Sequence, residues 1–279
     1  MSILALLADA TTPPPRPPAA RGLPLADAML PQIPRLATRT INPGNAVEVL
    51  AEILAIQNAH TGPIREKLIE VIYEPGTYTN IGVGQNMCIS RSSTGDPADV
   101  IVETSNTAGG VLHWFGGPTW LRGLTLRSLP HPEGDFGPKY PLHMTNGGIL
   151  TLVDCNLEAR NPGSDGGPAV IGMDGGDNLD VTFVRCNLSN LGGIPANIHG
   201  GGVGPEGQRI IFYNCTLSGA DTQAIGYEGL ANERTDIWYV GGNITPGNFS
   251  GDVTVHADDA PLSVGGFPNY WRISLGITD

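Results

Sequence analysis

One short segment recurs along the chain and limits what the chain can fold into. It reads ILTLVDCNL at residues 149–157, VTFVRCNL at 181–188 and IIFYNCTL at 210–217. The cysteines of these copies, Cys155, Cys186 and Cys215, stand 31 and 29 residues apart. A repeat of this length is typical of stacked architectures, in which each copy buries its apolar side against the next.

Two weaker copies flank the three strong ones. Residues 121–126 put Leu124 in the cysteine position, and residues 237–244 put Gly242 there. We expect the cysteines to be buried free thiols that act as small apolar side chains, with disulfide or metal binding as the alternatives. The chain has no CxxC pair and no cluster of Cys and His, so we expect no metal and no cofactor.

The copies predict which side chains fill a core. In the copy around Cys215, Ile210 and Phe212 point inward, the chain bends at Asn214, and Cys215 and Leu217 point inward again. The equivalent inward residues of the other copies are Val181, Phe183, Cys186 and Leu188, and Leu150, Leu152, Cys155 and Leu157. The equivalent bend positions are Gly123, Asp154, Arg185, Asn214 and Gly241, which are turn-forming residue types apart from Arg185. This change of parity at the bend explains why simple alternation fails.

Composition restricts the partners of the chain. The net charge of -12 disfavours nucleic acid and anionic membranes, because an acidic surface repels phosphate. No apolar stretch is long enough to cross a bilayer. The first ten residues lack a basic segment before a short apolar run, so we expect no secretory signal peptide.

The first 43 residues differ from the remainder. Nine of the 24 prolines lie there, and so rich a segment favours extended polyproline conformation and cannot pair as a central strand. We therefore divide the chain into an extended Pro-rich assembly arm, 1–43, and a β-helix domain, 44–279. We expect a neighbouring subunit to hold the arm, with the body of the same chain as the alternative. The proposed contact residues are Ile3, Leu6, Leu7, Arg16, Arg21 and Leu25, with Leu23, Met29 and Leu30 as further apolar anchors.

A helix is predicted to follow the arm. Asn45 is suited to cap a helix over 46–59. Its apolar face is predicted to contain Val47, Leu50, Ile53 and Leu54. Residues 71–80, VIYEPGTYTN, then predict a strand, a Pro-Gly turn and a second strand.

A capping helix, an apolar strand, PGTY and repeated rungs of the form F-x-N-C-x-L together resemble the pectin-lyase-like superfamily. The likeness covers about residues 45–270. It implies an all-β, single-stranded, right-handed parallel β-helix of about five to seven rungs. That superfamily contains polysaccharide lyases, esterases and hydrolases, and also phage tailspikes and other virion proteins. For viral members of this kind, the resemblance implies homotrimers.

The strand upstream of each copy predicts a candidate site. Stacking these strands by their apolar residues gives one outward column, made of His113, His143, Gly172, His199, Gly226 and His256. The next outward column is Phe115, Thr145, Asp174, Gly201, Glu228 and Asp258. In the enzymes of the superfamily the corresponding sheet carries the catalytic groove. The four histidines and Phe115 are therefore candidate ligand-binding residues, and Asp174, Glu228 and Asp258 are candidate catalytic carboxylates. The alternative is that they are polar surface residues.

The catalytic residues of the superfamily are not matched. SNLG at 189–192 and Arg209 stand where the two esterase aspartates are expected. For a lyase, Asp174 and Asp177 supply two of the six to eight oxygen ligands that Ca²⁺ requires. We therefore expect a structural virion protein of a tailed phage, assembled in the host cytoplasm and extracellular in the mature particle. Its expected partners are itself and other virion proteins, and a host surface glycan is also considered. The alternatives are a polysaccharide-degrading enzyme and a non-catalytic glycan-binding adhesin.

Overall fold

A computed structural model describes residues 35–61, 68–80, 88–105, 110–114, 119–130, 140–144, 148–160, 169–171, 179–199, 208–219, 225–228, 234–240, 246–249 and 252–257. In these residues the fold is mostly β, a parallel solenoid of about four turns with one short helix near its N-terminal end. The parallel β-helix predicted from the repeat is thus confirmed at this level. The solenoid has fewer turns than the five to seven predicted.

The described residues form one helix and 21 strands. Helix α1 spans Ala46–Ala59. The strands are β1 (Ala37–Ile41), β2 (Ile69–Tyr73), β3 (Gly76–Thr79), β4 (Cys88–Ser92), β5 (Val100–Thr104), β6 (Gly110–Trp114), β7 (Thr119–Arg122), β8 (Thr125–Ser128), β9 (Tyr140–Met144), β10 (Gly148–Val153), β11 (Asn156–Ala159), β12 (Ala169–Ile171), β13 (Leu179–Val184), β14 (Asn187–Asn190), β15 (Ala196–His199), β16 (Gln208–Tyr213), β17 (Thr216–Gly219), β18 (Ile225–Glu228), β19 (Arg234–Val240), β20 (Pro246–Phe249) and β21 (Asp252–Ala257).

The strands stack into three parallel sheets. Sheet A runs β1-β2-β4-β7-β10-β13-β16-β19-β21, sheet B runs β17-β14-β11-β8-β5-β3, and sheet C runs β20-β18-β15-β12-β9-β6. Each strand pairs with its equivalent in the neighbouring turn, about 4.8 Å away. The chain therefore advances by roughly one strand spacing per turn, and the core is the space enclosed by the three sheets.

The core residues predicted from the repeat are confirmed. Leu152, Phe183 and Phe212 stand in register across β10, β13 and β16 and are fully buried. The rings of Phe183 and Phe212 stack 5.0 Å apart at 6°. Past the bend, Cys155, Cys186 and Cys215 are buried free thiols, and Leu124 fills the same position one turn earlier. The thiols donate to carbonyl groups of the ladder, such as Cys186 Sγ to Leu152 O at 3.5 Å.

The predicted bend positions share one unusual conformation. Their φ angles lie in the left-handed region, at 63° for Gly123, 52° for Asp154, 50° for Arg185 and 51° for Asn214. The N–H groups of the first three continue the parallel ladder, for example Asp154 N to Val184 O at 2.9 Å. At Gly123 a side chain has no room, because an added Cβ would lie 2.6 Å from Gly95 O. Gly241 lies outside the described residues.

Arg185 is the one residue in this column that is not a turn former. A left-handed conformation is costly for such a side chain. Its guanidinium donates twice to Asp154 one turn away, through Nε to Oδ1 at 2.7 Å and Nη2 to Oδ2 at 2.8 Å. These hydrogen bonds raise the pKa of Arg185. A two-point ion pair of this kind is the stronger type, and it offsets part of the backbone cost.

Helix α1 has the predicted bounds but buries a different face. Ala46 and Ile53 are buried, and Val49, Leu50 and Ile56 pack partly against the core. Val47 and Leu54, predicted to be buried, are 73% and 59% exposed. The sequence carries two apolar stripes on this helix, and the expected face mixed residues from both.

Asn45 occupies the N-cap position, but it makes no side-chain hydrogen bond to the helix. Its Oδ1 accepts instead from Asn42 N at 2.8 Å, and Asn42 Oδ1 accepts from Gly44 N at 2.9 Å. The two asparagines therefore fix the turn between β1 and α1. The predicted capping bond to the helix is wrong.

Part of the range assigned to the arm belongs to the solenoid. β1 pairs in parallel with β2, with Ala37 opposite Ile69 and Ile41 opposite Tyr73. Arg39 of β1 also donates to Glu52 of α1 through Nε at 2.9 Å. Residues 1–34, with all the proposed contact residues of the arm, lie outside the described residues, so their role stays a prediction.

We predict that Cys186→Asp destabilises the solenoid by roughly 3–5 kcal/mol, because a carboxylate would replace a thiol in an apolar ladder. Burial already raises the pKa of the Cys186 thiol well above its usual range. Cys186→Ala, the control, leaves a small cavity and should cost only about 1–2 kcal/mol. Equal denaturation midpoints for the two variants in urea would contradict the buried ladder.

Tyr78 provides a pH test of the N-terminal end. Its buried hydroxyl lies 3.0 Å from Ile41 O and 2.7 Å from Glu74 O. Burial, and then the charge of Glu74, raise the pKa of Tyr78 to about 12. The phenol must therefore stay neutral for the fold to be stable.

Because the pKa is raised in the folded state, this contribution is fully present below about pH 10 and is lost as the pH rises toward 12. We expect wild-type protein to lose on the order of 1–2 kcal/mol more than Tyr78→Phe across that window. At pH 8 the variant should be less stable by about 1 kcal/mol, the cost of a lost hydrogen bond. Urea titrations from pH 8 to 12 measure both effects, and parallel curves would contradict the assignment.

Candidate functional site

The histidine column predicted from sequence holds only for its first pair of residues. His113 of β6 stands in register with His143 of β9. Beyond His143 the register differs, because Val170 of β12 pairs with His143 where Gly172 was expected. The column therefore continues through Asn197 and Gly226.

The remaining histidines do not join this column. His199 stands in register with Glu228, where Gly226 was expected. His256 lies in β21 of sheet A, in register with Trp238. The place expected for β21 in sheet C is taken by β20, where Pro246 pairs with Ile225 only 21 residues upstream. The single column of four histidines is therefore wrong.

A shift of two residues is the error that apolar pattern matching makes most easily. Strand side chains alternate with a period of two, so a slip by two residues keeps the same set facing inward. Ile171 pairs with Ile198 as predicted, but Ile198 then pairs with Tyr227 rather than Ile225. Inward-facing residues fix the face of a strand and leave its register open.

Sheet C brings one pair of rings together. Tyr140 and His143 of β9 lie with ring centroids 5.5 Å apart and planes inclined by 29°, and both side chains are partly buried. Rings that combine an apolar face with a polar atom are suited to contact with a partner or a sugar ring. Phe115, Asp174 and Asp258, the other candidates of this face, lie outside the described residues, so their roles stay predictions.

A second candidate surface lies on the outer side of α1. Four exposed apolar residues of the helix follow the spacing i, i+4, i+7 and i+8, namely Val47, Ala51, Leu54 and Ala55. We call them the outer stripe. The opposite side of the helix closes the N-terminal end of the core. The sequence alone could have indicated this surface, because the helix has apolar residues on two sides and only one of them can face the core.

Charged residues form ladders across the turns. Arg127 of β8 reaches Glu158 of β11 at 2.8 Å and Glu103 of β5 at 3.3 Å. Arg160 reaches Glu158 at 2.7 Å. Sequence reasoning missed these pairs, although Arg127 and Glu158 stand 31 residues apart, one repeat length. Because each charge has a partner, these residues are suited to holding turns together.

A shallow hollow of about 160 Å³ opens beside the bends of sheet A, lined by Arg91, Arg122 and residues 92–95. Arg91 Nε donates to Glu70 Oε1 at 2.7 Å, and Arg122 Nε lies 3.9 Å from Asp154 Oδ2. The hydroxyl groups of Ser92 and Thr94 hydrogen-bond to each other. They also accept hydrogen bonds from the backbone N–H groups of Gly95 and Asp96, respectively. The acidic neighbours offset the arginines, so the hollow has no marked preference for anions.

Among the described residues, no three His, Cys, Asp or Glu side chains come together to hold a metal ion. Within the same residues, no helix has the length and hydropathy needed to cross a membrane. Comparison of the chain with protein-family models, with curated proteins and with solved structures gives no match.

Proposed function

We propose that this protein is a structural component of a virion of a tailed phage, a right-handed β-helix module of the pectin-lyase-like kind that joins its neighbours through its N-terminal end. The observation that carries the proposal is the outer stripe of α1. Val47 and Leu54 are among the few large apolar side chains in the described part of the chain that face solvent. A continuous apolar stripe on a helix is suited to packing against another surface.

The position of the stripe supports an assembly role. Helix α1 has already closed the core with its inner side, so its outer side has no further role within the solenoid. The Pro-rich segment 1–34 joins the described chain at Arg35, directly before β1 at the same end. Stripe and arm together would give this end two adjacent contact regions. The partners we propose are further copies, as a homotrimer, and other proteins of the particle.

The charge pattern of the body is consistent with a scaffold. In the described part, several arginines pair with acidic residues one turn away, as Arg185 does with Asp154 and Arg127 with Glu158. Repeated turns with satisfied charges resist local opening, since each turn supports its neighbours. A scaffold needs this uniformity, whereas a catalytic site needs a group whose environment differs from the others.

We predict that Val47→Asp with Leu54→Asp prevents assembly while leaving the monomer folded, because both side chains are exposed in the isolated chain. Deleting residues 1–34 should have the same effect. Leu191→Asp is the matched control, since Leu191 is 63% exposed in a loop away from this end. Light scattering gives the oligomeric mass, circular dichroism checks the fold, and particle incorporation gives the biological result. Normal assembly of both the stripe variant and the deletion would refute the proposal.

A second candidate function is carbohydrate binding or cleavage on sheet C, with the candidate carboxylates in the roles expected from sequence. The observation that favours it is the register of His199 with Glu228 on adjacent strands. A His and a carboxylate at neighbouring positions are a common acid–base pair.

For this candidate, Glu228→Gln should abolish release of reducing ends from a host polysaccharide, or weaken glycan retention at least tenfold if the face only binds. Glu48→Gln, on the exposed side of α1, is the control and should change neither. Full activity of Glu228→Gln would exclude Glu228 as the catalytic group. The same substitution should leave assembly of the particle unaffected, which separates this candidate from the assembly proposal.

A further inference from the structure

Strand β1 forms the edge of sheet A at the N-terminal end, where it pairs with β2 alone. Ile41 O accepts a hydrogen bond from Glu74 N, directly after β2, at 2.9 Å. In a parallel ladder, alternate residues direct their backbone groups to opposite sides, so Thr38 and Thr40 direct theirs away from β2. Among the described residues, the one hydrogen bond to these outward groups is local, from Arg39 Nη1 to Thr38 O at 3.1 Å. We call the outward N–H and C=O groups of Thr38 and Thr40 the free edge.

The free edge lacks the features with which proteins usually protect an edge strand. Prolines, lysines and bulges are common protections. Residues 37–41 contain neither proline nor lysine, and their pairing with β2 is continuous. The side chains of Thr38 and Thr40 are exposed and of a type that favours strands.

The edge of sheet B at the same end differs from the free edge. Sheet B begins there with β3, whose first residue is Gly76. The ring of Pro43 lies against this residue, since an added Cβ at Gly76 would be 2.6 Å from Pro43 Cγ. A further strand is therefore obstructed at β3 and accommodated at β1.

The sequence of β1 is suited to pairing with itself. A two-fold contact needs a surface that is complementary to its own copy. Around Arg39 the strand reads Thr-Arg-Thr, so antiparallel pairing centred there sets Thr38 opposite Thr40 of a second copy, and Thr40 opposite Thr38. These residues carry the outward groups, so each pair exchanges two hydrogen bonds, about four in all. Opposed threonines are also favourable cross-strand neighbours.

We propose that β1 pairs antiparallel with β1 of a second copy across a two-fold axis at Arg39, so that two solenoids join through their N-terminal ends. Sheet A of one copy then continues into sheet A of the other. The helices meet as well, because the inner side of α1 closes the core and the outer stripe points away from the stack, toward the second copy. Strand pairing supplies direction and register, and the stripes supply apolar area that a strand edge lacks.

The charges near the axis are compatible with this contact. Arg39 lies opposite Arg39 of the second copy, and two such charges alone would repel. Each guanidinium, however, donates through Nε and Nη2 to Glu52 Oε1 of its own α1, at 2.9 and 2.6 Å. The axis therefore brings together two ion pairs with no net charge.

This contact rests on the proposed function for the placement of assembly at the N-terminal end, and it names the surfaces that touch. A two-fold axis cannot relate neighbours within a homotrimer, so β1 joins a copy of one trimer to a copy of another. Loss of the contact therefore halves the assembled mass and leaves each trimer intact.

A proline in the free edge tests the contact in the full chain. Thr40→Pro removes an outward N–H that β1 does not use in pairing with β2, and the ring obstructs a further strand. We expect sedimentation equilibrium to show end-to-end association at least tenfold weaker than in wild type. Thr40→Val is the matched control, because it keeps the N–H and a β-branched side chain, and it should associate like wild type. Equal association of Thr40→Pro and wild type, or equal weakening by Thr40→Val, would overturn the proposal.

Disulfide formation between copies tests the register, and it decides the question if Thr40→Pro does not fold. A mixture of Thr38→Cys and Thr40→Cys chains should form intermolecular disulfides at least tenfold faster than either chain alone, because only the mixture places the new thiols directly opposite each other. The parent chain gives the background from the native cysteines. No excess in the mixture, or a wild-type protein without end-to-end association, would refute the pairing of β1 with its copy.

The outcomes separate this contact from the proposed assembly role. If Thr40→Pro associates normally while the stripe variant and the deletion of residues 1–34 prevent assembly, the pairing of β1 fails and the proposed function stands. If Thr40→Pro and the mixed chains behave as expected while the stripe variant and the deletion still enter particles, the two-fold contact stands and the proposed function fails.

Discussion

The left-handed bend between sheets A and B is the constraint on which the solenoid depends. It reverses the parity of the chain, so Phe212 before the bend and Cys215 after it both face the core. The bend recurs at the same corner of successive turns, and N–H groups at the bend continue the hydrogen-bonded ladder. Because the backbone requires a positive φ there, glycine, aspartate and asparagine are favoured. Arg185 is tolerated where Asp154 can receive its guanidinium.

The repeat made these features predictable, because each is local. A buried apolar pair, a bend residue and a buried thiol recur within nine residues, and each copy supports the interpretation of the others. Register in sheet C was not predictable by the same reasoning, because a shift of two residues preserves every inward side chain. The segments between sheets vary in length, so counting repeats could not decide between Gly172 and Val170 as the neighbour of His143.

The sequence also contained a signal that was assigned to the wrong cause. Runs such as VTFV and IIFY are apolar on both sides of the strand, which is typical of a sheet covered on both faces. The parity change at the bend explained the missing alternation only in part. Helix α1 presents the same ambiguity, because two apolar stripes compete for one core. Packing against the core decides for Ile53 and against Leu54, and no local pattern encodes that choice.

Where the repeat is regular, each turn makes the same contacts with its neighbours, so the side chains of that turn serve to stabilise the stack. Function is therefore more readily carried where the repetition stops. At the N-terminal end, α1 replaces a further turn, and Val47 and Leu54 have no equivalent in the stack to cover them. On sheet A, the corresponding apolar surface is already buried. This difference between the buried outer side of sheet A and the exposed side of α1 is the physical reason for proposing assembly at the helical end.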